Sequence, residues 1–560
     1  MGFELGHCTS SEYSGLFIVP TAVKKNRKMN TVLLHVSSLQ AMKKLVGVVL
    51  FSFISFFVSL IIQHSTPNIL ADLDETLLDF TSAKVSGQAD VSRSSHVKGC
   101  LSRYESALYR KESPYKPSSY LITKLRQYET LHKRCGPYTE SYNRTITQLE
   151  HGHLTNDHET TSDKECKYLI RIPYDGLGNR MLSLASAFLY ALLTDRVLLV
   201  YDHEGETADL FCEPFPETTW LLPPDFPIKN LENLNQESPE CYGNMLKHSR
   251  NTSFVYLHLI YTYDDYDKLF FCDQDQIFLQ NVSWVIMKSQ FYIAPSLFLI
   301  KSFQQELATL FPEKETVFHF LGRYLFFPSN PVWELITRYH RAYLSNSDET
   351  IGIQIRTFHP RFLAAAFNFT TSTLEALPDT ILACSINNNI LPEIININGS
   401  QGSSKSKSVI VTSLTMKYYE KIRDVYWEHA TVNGDTIAVF QPSSEGGQKT
   451  GNKKHDRKAW AEIYLLSLTD KLITSPWSTF GYVAQALGGL RPWILHMPKD
   501  EMVPNPACTR AMSMEPCFHK APVNGCKMRT GVDDASAVVP FFRRCEDASL
   551  GVKLVDPKAS

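Results

Sequence analysis

The sequence has no excess of charge of either sign, and it lacks the motifs of several common protein classes. Lys and Arg number 56 against 58 acidic residues, so we expect no nucleic-acid partner. No two cysteines have the C-x-x-C spacing of zinc ribbons and redox enzymes. The glycine-rich segment 446–454 has Asn452 where a phosphate-binding loop requires lysine, which argues against kinases and sulfotransferases. Internal repeats and long low-complexity tracts are also missing.

One segment has the length and composition of a membrane span. Residues 45–62 (LVGVVLFSFISFFVSLII) are 18 consecutive uncharged residues, and Lys43 and Lys44 precede them. A bilayer crossing needs about 17–25 such residues, and the positive flank lies on the cytosolic side. We therefore predict a cytosolic tail (1–44), a signal-anchor, a polar, Ser-rich stem (63–97) and a lumenal remainder. A cleaved signal peptide and a buried core helix are the alternatives.

The cysteines and glycosylation sequons fit a lumenal chain. Eleven of the twelve cysteines follow the predicted anchor, which indicates structural disulfides in an oxidising compartment. Because eleven is odd, at least one thiol is free or joins two chains, and this leaves a homodimer open. Five N-glycosylation sequons also follow the anchor, at Asn143, Asn251, Asn281, Asn368 and Asn398.

Strand-like and helix-like runs alternate in two regions of the lumenal chain. The first region has strands at 167–172 and 196–201 around a helix at 179–193. The second has strands at 351–358, 405–413, 471–475 and 492–495 and helices at 459–468 and 480–487. Such alternation predicts parallel sheets with helices on both faces. We expect an α/β fold with two Rossmann-like domains, 98–345 and 346–560, that face a cleft.

The segment Asp175–Arg180 (DGLGNR) lies where the first predicted strand turns into a helix. Glycines there allow close backbone approach to a ligand, and a helix start offers free N–H groups. Asn179 could cap the helix, and Arg180 could reach an anionic group. A tight turn with a surface arginine is the alternative interpretation.

A second candidate is the strand GIQIR, in which isoleucines alternate with Gln354 and Arg356. A period of two puts these polar side chains on one face at the carboxyl end of the strand, which borders the ligand crevice of open α/β sheets. A guanidinium on an apolar strand needs a partner, and a diphosphate is a natural one. A structural ion pair is the alternative.

A third candidate, Ser475–Gly481 (SPWSTFG), again joins a strand to a helix. The hydroxyls of Ser478 and Thr479 and the helix start can bind phosphate, or they can simply cap the helix. Upstream polar residues could contact a purine edge or be solvated: His455, Asp456 and Glu462.

Acidic residues suggest a different way to bind a diphosphate, through a metal ion. Asp273-Gln274-Asp275 is a D-x-D motif, and Asp264, Asp265 and Asp267 precede it. Carboxylates at this spacing can hold a divalent metal, which would indicate a metal-dependent nucleotide-sugar transferase of the GT-A type. Arg356 argues instead that cationic side chains balance the diphosphate.

Long motifs over about residues 97–558 resemble the plant xyloglucan/galactoside fucosyltransferase family. They include DGLGNRMLSLASAFLYALLTDRVLLV (175–200), AEIYLLSLTDKLITSPWSTFGYVAQALGGLRPWIL (461–495) and SMEPCFHKAP (513–522). The resemblance implies a GT-B-type enzyme of the Golgi membrane that needs no metal or other cofactor. It implies inverting transfer of fucose from GDP-fucose to the 2-hydroxyl of galactose on xyloglucan or arabinogalactan. An inactive glycan-binding relative is the alternative.

The resemblance also implies residue roles. It carries GDP binding onto Asn179, Arg180, Arg356 and Ser478–Phe480, and we add Gln354 from its strand position. The 98–345 domain would then hold the acceptor, and the 346–560 domain would hold GDP-fucose. Arg356 would stabilise the leaving diphosphate, because cations aimed at developing charge accelerate such transfers. A general base would help, and Asp265, Asp267 and Asp275 are the candidates.

Overall fold

The computed structural model describes residues 99–151, 165–202, 204–249, 252–356, 371–395, 404–449, 451–499, 501–522, 526 and 539–557. The predicted cytosolic tail, anchor and stem lie outside these ranges. Within them, no helix combines the length and hydropathy needed to cross a bilayer. Of the five sequon asparagines, Asn143 and Asn281 are described and both are exposed.

The first sheet has four parallel strands in the order β2-β1-β4-β3. Most residues of these strands are buried, as expected for a parallel sheet covered on both faces. The strands are β1 (Lys167–Ile172), β2 (Arg196–Val200), β3 (Val255–Leu259) and β4 (Trp284–Ser289).

The second sheet has six strands in the order β12-β11-β10-β5-β7-β9, and only the β11–β12 pair is antiparallel. After β5, the chain adds β7 and then β9 on one side of the sheet. It then adds β10, β11 and β12 on the other side of β5. The crevice above the β5–β10 pair is therefore a topological switch point, where ligands bind in open α/β sheets. The strands are β5 (Glu349–Ile355), β7 (Ser406–Ser413), β9 (Thr436–Phe440), β10 (Lys471–Thr474), β11 (Trp493–Leu495) and β12 (Cys508–Arg510).

Two short antiparallel pairs complete the described strands: β6 (Ile394–Ile395) with β8 (Ala430–Thr431), and β13 (Phe542–Arg544) with β14 (Val552–Leu554). The helices that precede β5 are α1 (Leu101–Glu105), α2 (Ser119–Cys135), α3 (Glu140–Glu150), α4 (Leu177–Leu193), α5 (Glu206–Leu210), α6 (Tyr242–His248), α7 (Asp273–Asn281), α8 (Ala294–Leu297), α9 (Lys301–Leu310), α10 (Val317–Leu325) and α11 (Asn330–Tyr343). Those that follow are α12 (Thr371–Asn387), α13 (Lys417–Glu428), α14 (Lys453–Ser467) and α15 (Thr479–Gly488). Single 3-10 turns occupy Ser106–Leu108, Leu231–Asn233, Asp267–Phe271 and Lys314–Thr316.

The predicted elements are confirmed with small shifts at their ends. The strand predicted at 167–172 coincides with β1, and the helix predicted at 179–193 begins two residues earlier, at Leu177. The strand predicted at 351–358 ends at Ile355, so Arg356 immediately follows it. The helix predicted at 459–468 is longer, because α14 begins at Lys453 after the side-chain cap of Asn452.

Helix α4 is a central element of the core. Every residue of α4 except Asn179 is buried, as expected for a helix that is apolar on all sides. It packs against α15 and α10, and α14 packs against α11. Helices that follow β5 therefore share one hydrophobic core with helices that follow β1.

The C-terminal residues contact the first half of the chain, although they belong to the predicted 346–560 domain. The buried carboxylate of Glu515 accepts hydrogen bonds from the Tyr292 hydroxyl (2.6 Å) and the Phe318 N–H (2.7 Å). Cys526 forms a disulfide with Cys272. The predicted boundary at 345/346 falls between the two sheets, but the chain returns to the first half after the second sheet.

Disulfides account for ten of the eleven cysteines that follow the predicted anchor. The pairs are Cys100–Cys212, Cys135–Cys166, Cys272–Cys526, Cys384–Cys508 and Cys517–Cys545. Cys241 is a buried thiol that donates to Asp267 Oδ1 at 3.4 Å. Burial raises the pKa of this thiol to about 12. The one described cysteine without a disulfide is thus buried inside the protein.

Candidate active site

The turn into α4 begins with a residue in the left-handed conformation. Asp175 has φ +68°, and its Oδ1 accepts a hydrogen bond from the Gly176 N–H at 2.8 Å. Gly176 is the N-cap of α4, and the Asn179 side chain donates to Asp175 Oδ2 at 3.3 Å. The expectation that Asn179 caps the helix is therefore wrong, because the helix starts two residues earlier. Asn179 lies in the first turn instead.

The turn into α15 has the same design. Trp477 has φ +57°, and its N–H donates to Asp547 Oδ2 at 2.9 Å. Ser478 is the N-cap, and its Oγ accepts from the Gly481 N–H at 3.3 Å. In both turns a left-handed residue directly precedes the N-cap, so each strand reverses sharply into a helix start.

The two helix starts contact each other. Thr479 Oγ1 donates to Asn179 Oδ1 at 2.7 Å. A Cβ atom on Gly178 would lie 2.7 Å from the carbonyl carbon of Thr479 and 2.8 Å from the nitrogen of Phe480. Only glycine permits this backbone approach, which brings two partial positive charges of helix N-termini together. The arrangement favours an anionic ligand.

Arg356 follows β5 at the switch point of the second sheet. Its N–H donates to Ser475 Oγ (2.6 Å), and its guanidinium donates to Gln448 Oε1 (2.6 Å). Burial lowers the pKa of Arg356, and the nearby Asp175 carboxylate opposes that shift. Gln354, two residues earlier on β5, is buried and lies within 3.4 Å of Ser475 Oγ. The β5 and β10 strand ends are thereby joined through Ser475.

These groups line one cavity of about 270 Å³ between the halves of the chain. Six predicted ligand-binding residues contribute to its wall: Asn179, Gln354, Arg356, Ser478, Thr479 and Phe480. The β7 end adds Thr412 and Ser413, and the loop before α14 adds Ser443 and Gln448. Thr412 Oγ1 is buried and has no hydrogen-bond partner in the described part of the protein.

Helix α14 forms a polar side of the cavity. His455, Asp456 and Glu462 line this side. A contact between these residues and a purine edge would require that position. Ser443 Oγ donates to Glu462 Oε1 at 2.5 Å, and burial raises the pKa of the Glu462 carboxyl to about 8. His455 Nδ1 is buried without a partner among the described residues. This side therefore offers hydrogen-bonding groups that are shielded from solvent.

Arg180 does not line the cavity. Its guanidinium donates to Asp456 Oδ2 (2.7 Å) and Glu206 Oε2 (2.5 Å), and the residue is 8% exposed. The predicted anionic partner of Arg180 is thus a pair of carboxylates of this chain. A second ion pair, Arg457 with Asp209, joins α14 to α5. Arg180 joins α4 to α14 and fixes the cavity walls.

The predicted carboxylate bases also lie outside the cavity. Asp265 is exposed and pairs with Lys268 at 2.6 Å, whereas Asp275 is buried and accepts from the Tyr242 hydroxyl at 2.7 Å. Asp267 accepts from Gln236, and burial raises its pKa to about 6. None of the three lines the cavity that contains Arg356.

The D-x-D carboxylates are engaged separately. Asp273 Oδ1 accepts from the Ser302 N–H at 2.7 Å, while Asp275 faces Tyr242. The metal-ligand grouping found among the described residues is Cys517, Cys545 and Asp547. Its two cysteines form a disulfide, so their sulfurs are not thiolate ligands.

Sequence reasoning missed a group of residues beside Trp477. The Tyr482 hydroxyl lies 2.9 Å from His519 Nε2 and donates to Asp547 Oδ2 at 2.5 Å. His519 lines the cavity, and burial lowers its pKa although Asp547 opposes the shift. The segment SMEPCFHKAP contains His519, but nothing local to it indicates its partner Tyr482, 37 residues earlier in the chain.

Two sheets that are parallel except for β12 share a cleft, with cationic and helix-start groups at a switch point; this is the GT-B glycosyltransferase plan. Residues 87–527 match the model of the xyloglucan fucosyltransferase family. The chain belongs to this family, and it is a fucosyltransferase.

Similar proteins agree with this membership. Galactoside 2-alpha-L-fucosyltransferase of Pisum sativum is 55% identical over 468 residues, which cover 82% of this chain and 80% of the relative. The Arabidopsis thaliana protein of the same name is 53% identical over 465 residues, with 81% and 80% covered. A solved structure of a mutant of Arabidopsis thaliana FUT1 in complex with GDP is 51% identical. The match covers 86% of this chain and 100% of the solved chain, with a TM-score of 0.74.

Proposed function

We propose that this chain transfers L-fucose from GDP-fucose to the 2-hydroxyl of a galactose residue, with inversion at the fucose anomeric carbon. The names of the Pisum sativum and Arabidopsis thaliana relatives support the linkage. The GDP held by the solved relative supports the donor. Xyloglucan and arabinogalactan side chains are the acceptors that the family resemblance suggests.

One observation carries the donor assignment. Arg356 and two helix starts, from different halves of the chain, line the same cavity. In this proposal the Arg356 guanidinium and the N–H groups at the starts of α4 and α15 bind the diphosphate. Ser478 adds a hydroxyl donor, Thr479 joins the two helix starts through Asn179, and Gln354 holds the Ser475 turn in place. The polar side of α14 then faces the guanine base.

In this proposal the reaction depends on electrostatic stabilisation of the leaving group and not on covalent catalysis. The acceptor oxygen forms a bond to the fucose anomeric carbon while the bond from that carbon to the β-phosphate oxygen breaks. GDP leaves with the electron pair, and Arg356 stabilises its developing charge. The proton of the acceptor hydroxyl passes to a carboxylate. We assign this role to Asp547, because its partner Trp477 lines the donor cavity, whereas Asp265 and Asp275 are held elsewhere.

No metal is required in this mechanism, since a guanidinium and helix dipoles balance the diphosphate. The proposal predicts full activity in EDTA. The metal-dependent alternative predicts loss of activity in EDTA and recovery with Mn²⁺ or Mg²⁺.

We further propose a single-pass, type II location in the Golgi membrane, with the catalytic region in the lumen. Five disulfides and the apolar segment 45–62 support an oxidising, membrane-anchored setting. Protease treatment of intact Golgi vesicles tests it, because the catalytic region should resist digestion until detergent is added. A homodimer would depend on non-covalent contacts, since Cys241 is buried. Light scattering of the purified chain measures its molar mass and so distinguishes a monomer from a dimer.

The deciding experiment compares the full chain in detergent with its Arg356→Ala variant. Wild type should transfer fucose from GDP-fucose to at least one galactose-terminated plant glycan. A hydrogen bond to a charged group contributes about 1.5–3 kcal/mol, so Arg356→Ala should bind GDP about 10- to 150-fold more weakly.

Arg338→Ala is the matched control, because Arg338 is exposed on α11 and pairs with Glu334. It should bind GDP and transfer fucose as wild type does. Normal turnover by Arg356→Ala would remove this residue from the site. Glycan binding without any transfer by wild type would favour the inactive relative.

A further inference from the structure

Helix α7 presents two neighbouring apolar side chains to solvent. Ile277 is 64% exposed and Phe278 is 37% exposed. The Phe278 ring stacks on the buried ring of Tyr242, with centroids 6.0 Å apart, so this side chain is held at the surface. Neither exposed residue lines the cavity that contains Arg356. Exposed apolar surface promotes association with other chains unless something covers it.

The last residue of the same helix is Asn281, which begins the sequon Asn281-Val282-Ser283. Asn281 is exposed, and its Nδ2 donates to the carbonyl oxygen of Ile277 at 3.1 Å. Residues three and four apart are neighbours on a helix surface, and each Cα–Cβ bond tilts toward the helix N-terminus. A group attached to Asn281 Nδ2 therefore extends over the preceding turn, which carries Ile277 and Phe278.

The conformation of Asn281 is compatible with N-glycosylation. In that transfer, Nδ2 forms a bond to the anomeric carbon of an N-acetylglucosamine. The bond from this carbon to the diphosphate of a lipid-linked oligosaccharide breaks, and the diphosphate leaves with the electron pair. Nδ2 loses one of its two protons to a base of the oligosaccharyltransferase. The remaining N–H can still donate to Ile277, because the described hydrogen bond uses only one.

The third residue of the sequon determines when the modification can occur. Ser283 is 3% exposed and immediately precedes β4, and its carbonyl oxygen accepts from the Tyr168 N–H of β1 at 2.8 Å. Recognition of a sequon requires its serine or threonine. The transferring enzyme must therefore act before β4 pairs with β1, while the chain enters the lumen.

Asn143 offers an internal comparison, because it is the other described sequon asparagine and is also exposed. It lies within α3, and the residues one turn before it are Thr139 and Glu140. Both are polar, and Glu140 pairs with Arg144 at 3.3 Å. A glycan on Asn143 would cover polar surface, whereas a glycan on Asn281 would cover apolar surface.

We propose that Asn281 carries an N-linked glycan whose first sugars lie over Ile277 and Phe278 and prevent this surface from associating with other chains. An N-linked glycan is bulky and strongly hydrated, so it replaces exposed apolar area by soluble surface. This inference rests on the proposed lumenal location. It is independent of the transferase activity, since α7 is apart from the donor cavity.

The first test is mass spectrometry of the full chain produced in plant cells. After reduction, trypsin releases the peptide 269–288, in which Asn281 is the one sequon asparagine. We expect this peptide to carry a glycan. An unmodified peptide from a chain whose catalytic region resists protease in intact vesicles would overturn the inference. Digestion of that region in intact vesicles would refute the lumenal location and the inference with it.

The second test compares N281Q with the matched control N143Q in the full detergent-solubilised chain. Light scattering during heating should show N281Q aggregating at least about threefold faster than wild type, with N143Q within about twofold. Endoglycosidase trimming of folded wild type should also speed aggregation, and it leaves the polypeptide unchanged. I277S/N281Q should aggregate more slowly than N281Q. Aggregation of N281Q and of trimmed wild type at the untreated wild-type rate, or no effect of I277S, would refute the shielding role.

Discussion

Gly178→Ala tests whether the contact between the two helix starts holds the anion site together. The new Cβ atom would lie 2.7 Å from the Thr479 carbonyl carbon, against an ordinary contact distance near 3.4 Å. The obstructing atoms are backbone, so the starts of α4 and α15 must separate by about 0.7 Å. Overpacking of this kind costs about 1–3 kcal/mol.

The strain should appear as weaker GDP binding, because the N–H groups of the two helix starts no longer converge. If the whole cost falls on the bound state, affinity drops about 5- to 150-fold. Calorimetric titration with GDP measures this change, and thermal unfolding shows how much strain the free protein retains.

Gly447→Ala is the matched control, because no described atom beyond its own chain neighbours lies within 4 Å of its Cβ position. It should keep wild-type affinity for GDP. If Gly178→Ala also binds GDP as tightly as wild type, the close approach of the helix starts is only a packing feature. The two-helix anion site would then be refuted.

Three further outcomes follow from the same contacts. Burial raises the folded-state pKa of Glu462 to about 8 from 4.5, so folding favours the neutral carboxyl. Its contribution should therefore make the unfolding free energy fall as pH rises from 4.5 to 8, by at most about 1.4 kcal/mol per pH unit. Glu462→Gln should flatten this slope in urea titrations, and an unchanged slope would contradict the assignment. Asp547→Asn should lower kcat at least tenfold with GDP affinity kept within threefold, as steady-state kinetics and calorimetry measure; unaltered kcat would exclude Asp547 as the base. Replacing Cys384 and Cys508 by alanine removes a link across 124 residues and should cost about 2–4 kcal/mol in stability, whereas an unchanged Tm would show that the pair contributes little.

Much of the cavity that contains Arg356 could be predicted because its parts are local. The glycines and polar residues of 175–180 and 475–481 mark turns between a strand and a helix. The alternation in GIQIR puts Gln354 and Arg356 at a strand end. Each pattern spans a few residues, so local backbone preference and periodicity are enough to recognise it.

The predicted residue roles that proved wrong involve interaction partners that are distant in sequence. Arg180 has the sequence context of an anion-binding residue, yet its partner Asp456 lies 276 residues later. Asp273 and Asp275 have the spacing of metal ligands, but the Ser302 N–H and the Tyr242 hydroxyl engage them separately. A residue type indicates which interactions are chemically favourable, and the surrounding fold selects one of them.

From the sequence alone we predicted six strands of the two sheets (β1, β2, β5, β7, β10 and β11), the two strand-to-helix turns and the polar side chains at the end of β5, but not β3, β4, β9 or β12. The predicted features depend on interactions among neighbouring residues. Only the folded structure shows that Asn179 contacts Thr479, 300 residues away, and that Asp547 accepts a hydrogen bond from the Trp477 N–H. Such contacts arise only when separate segments bury their apolar faces in one core, which fixes distances that no local pattern encodes.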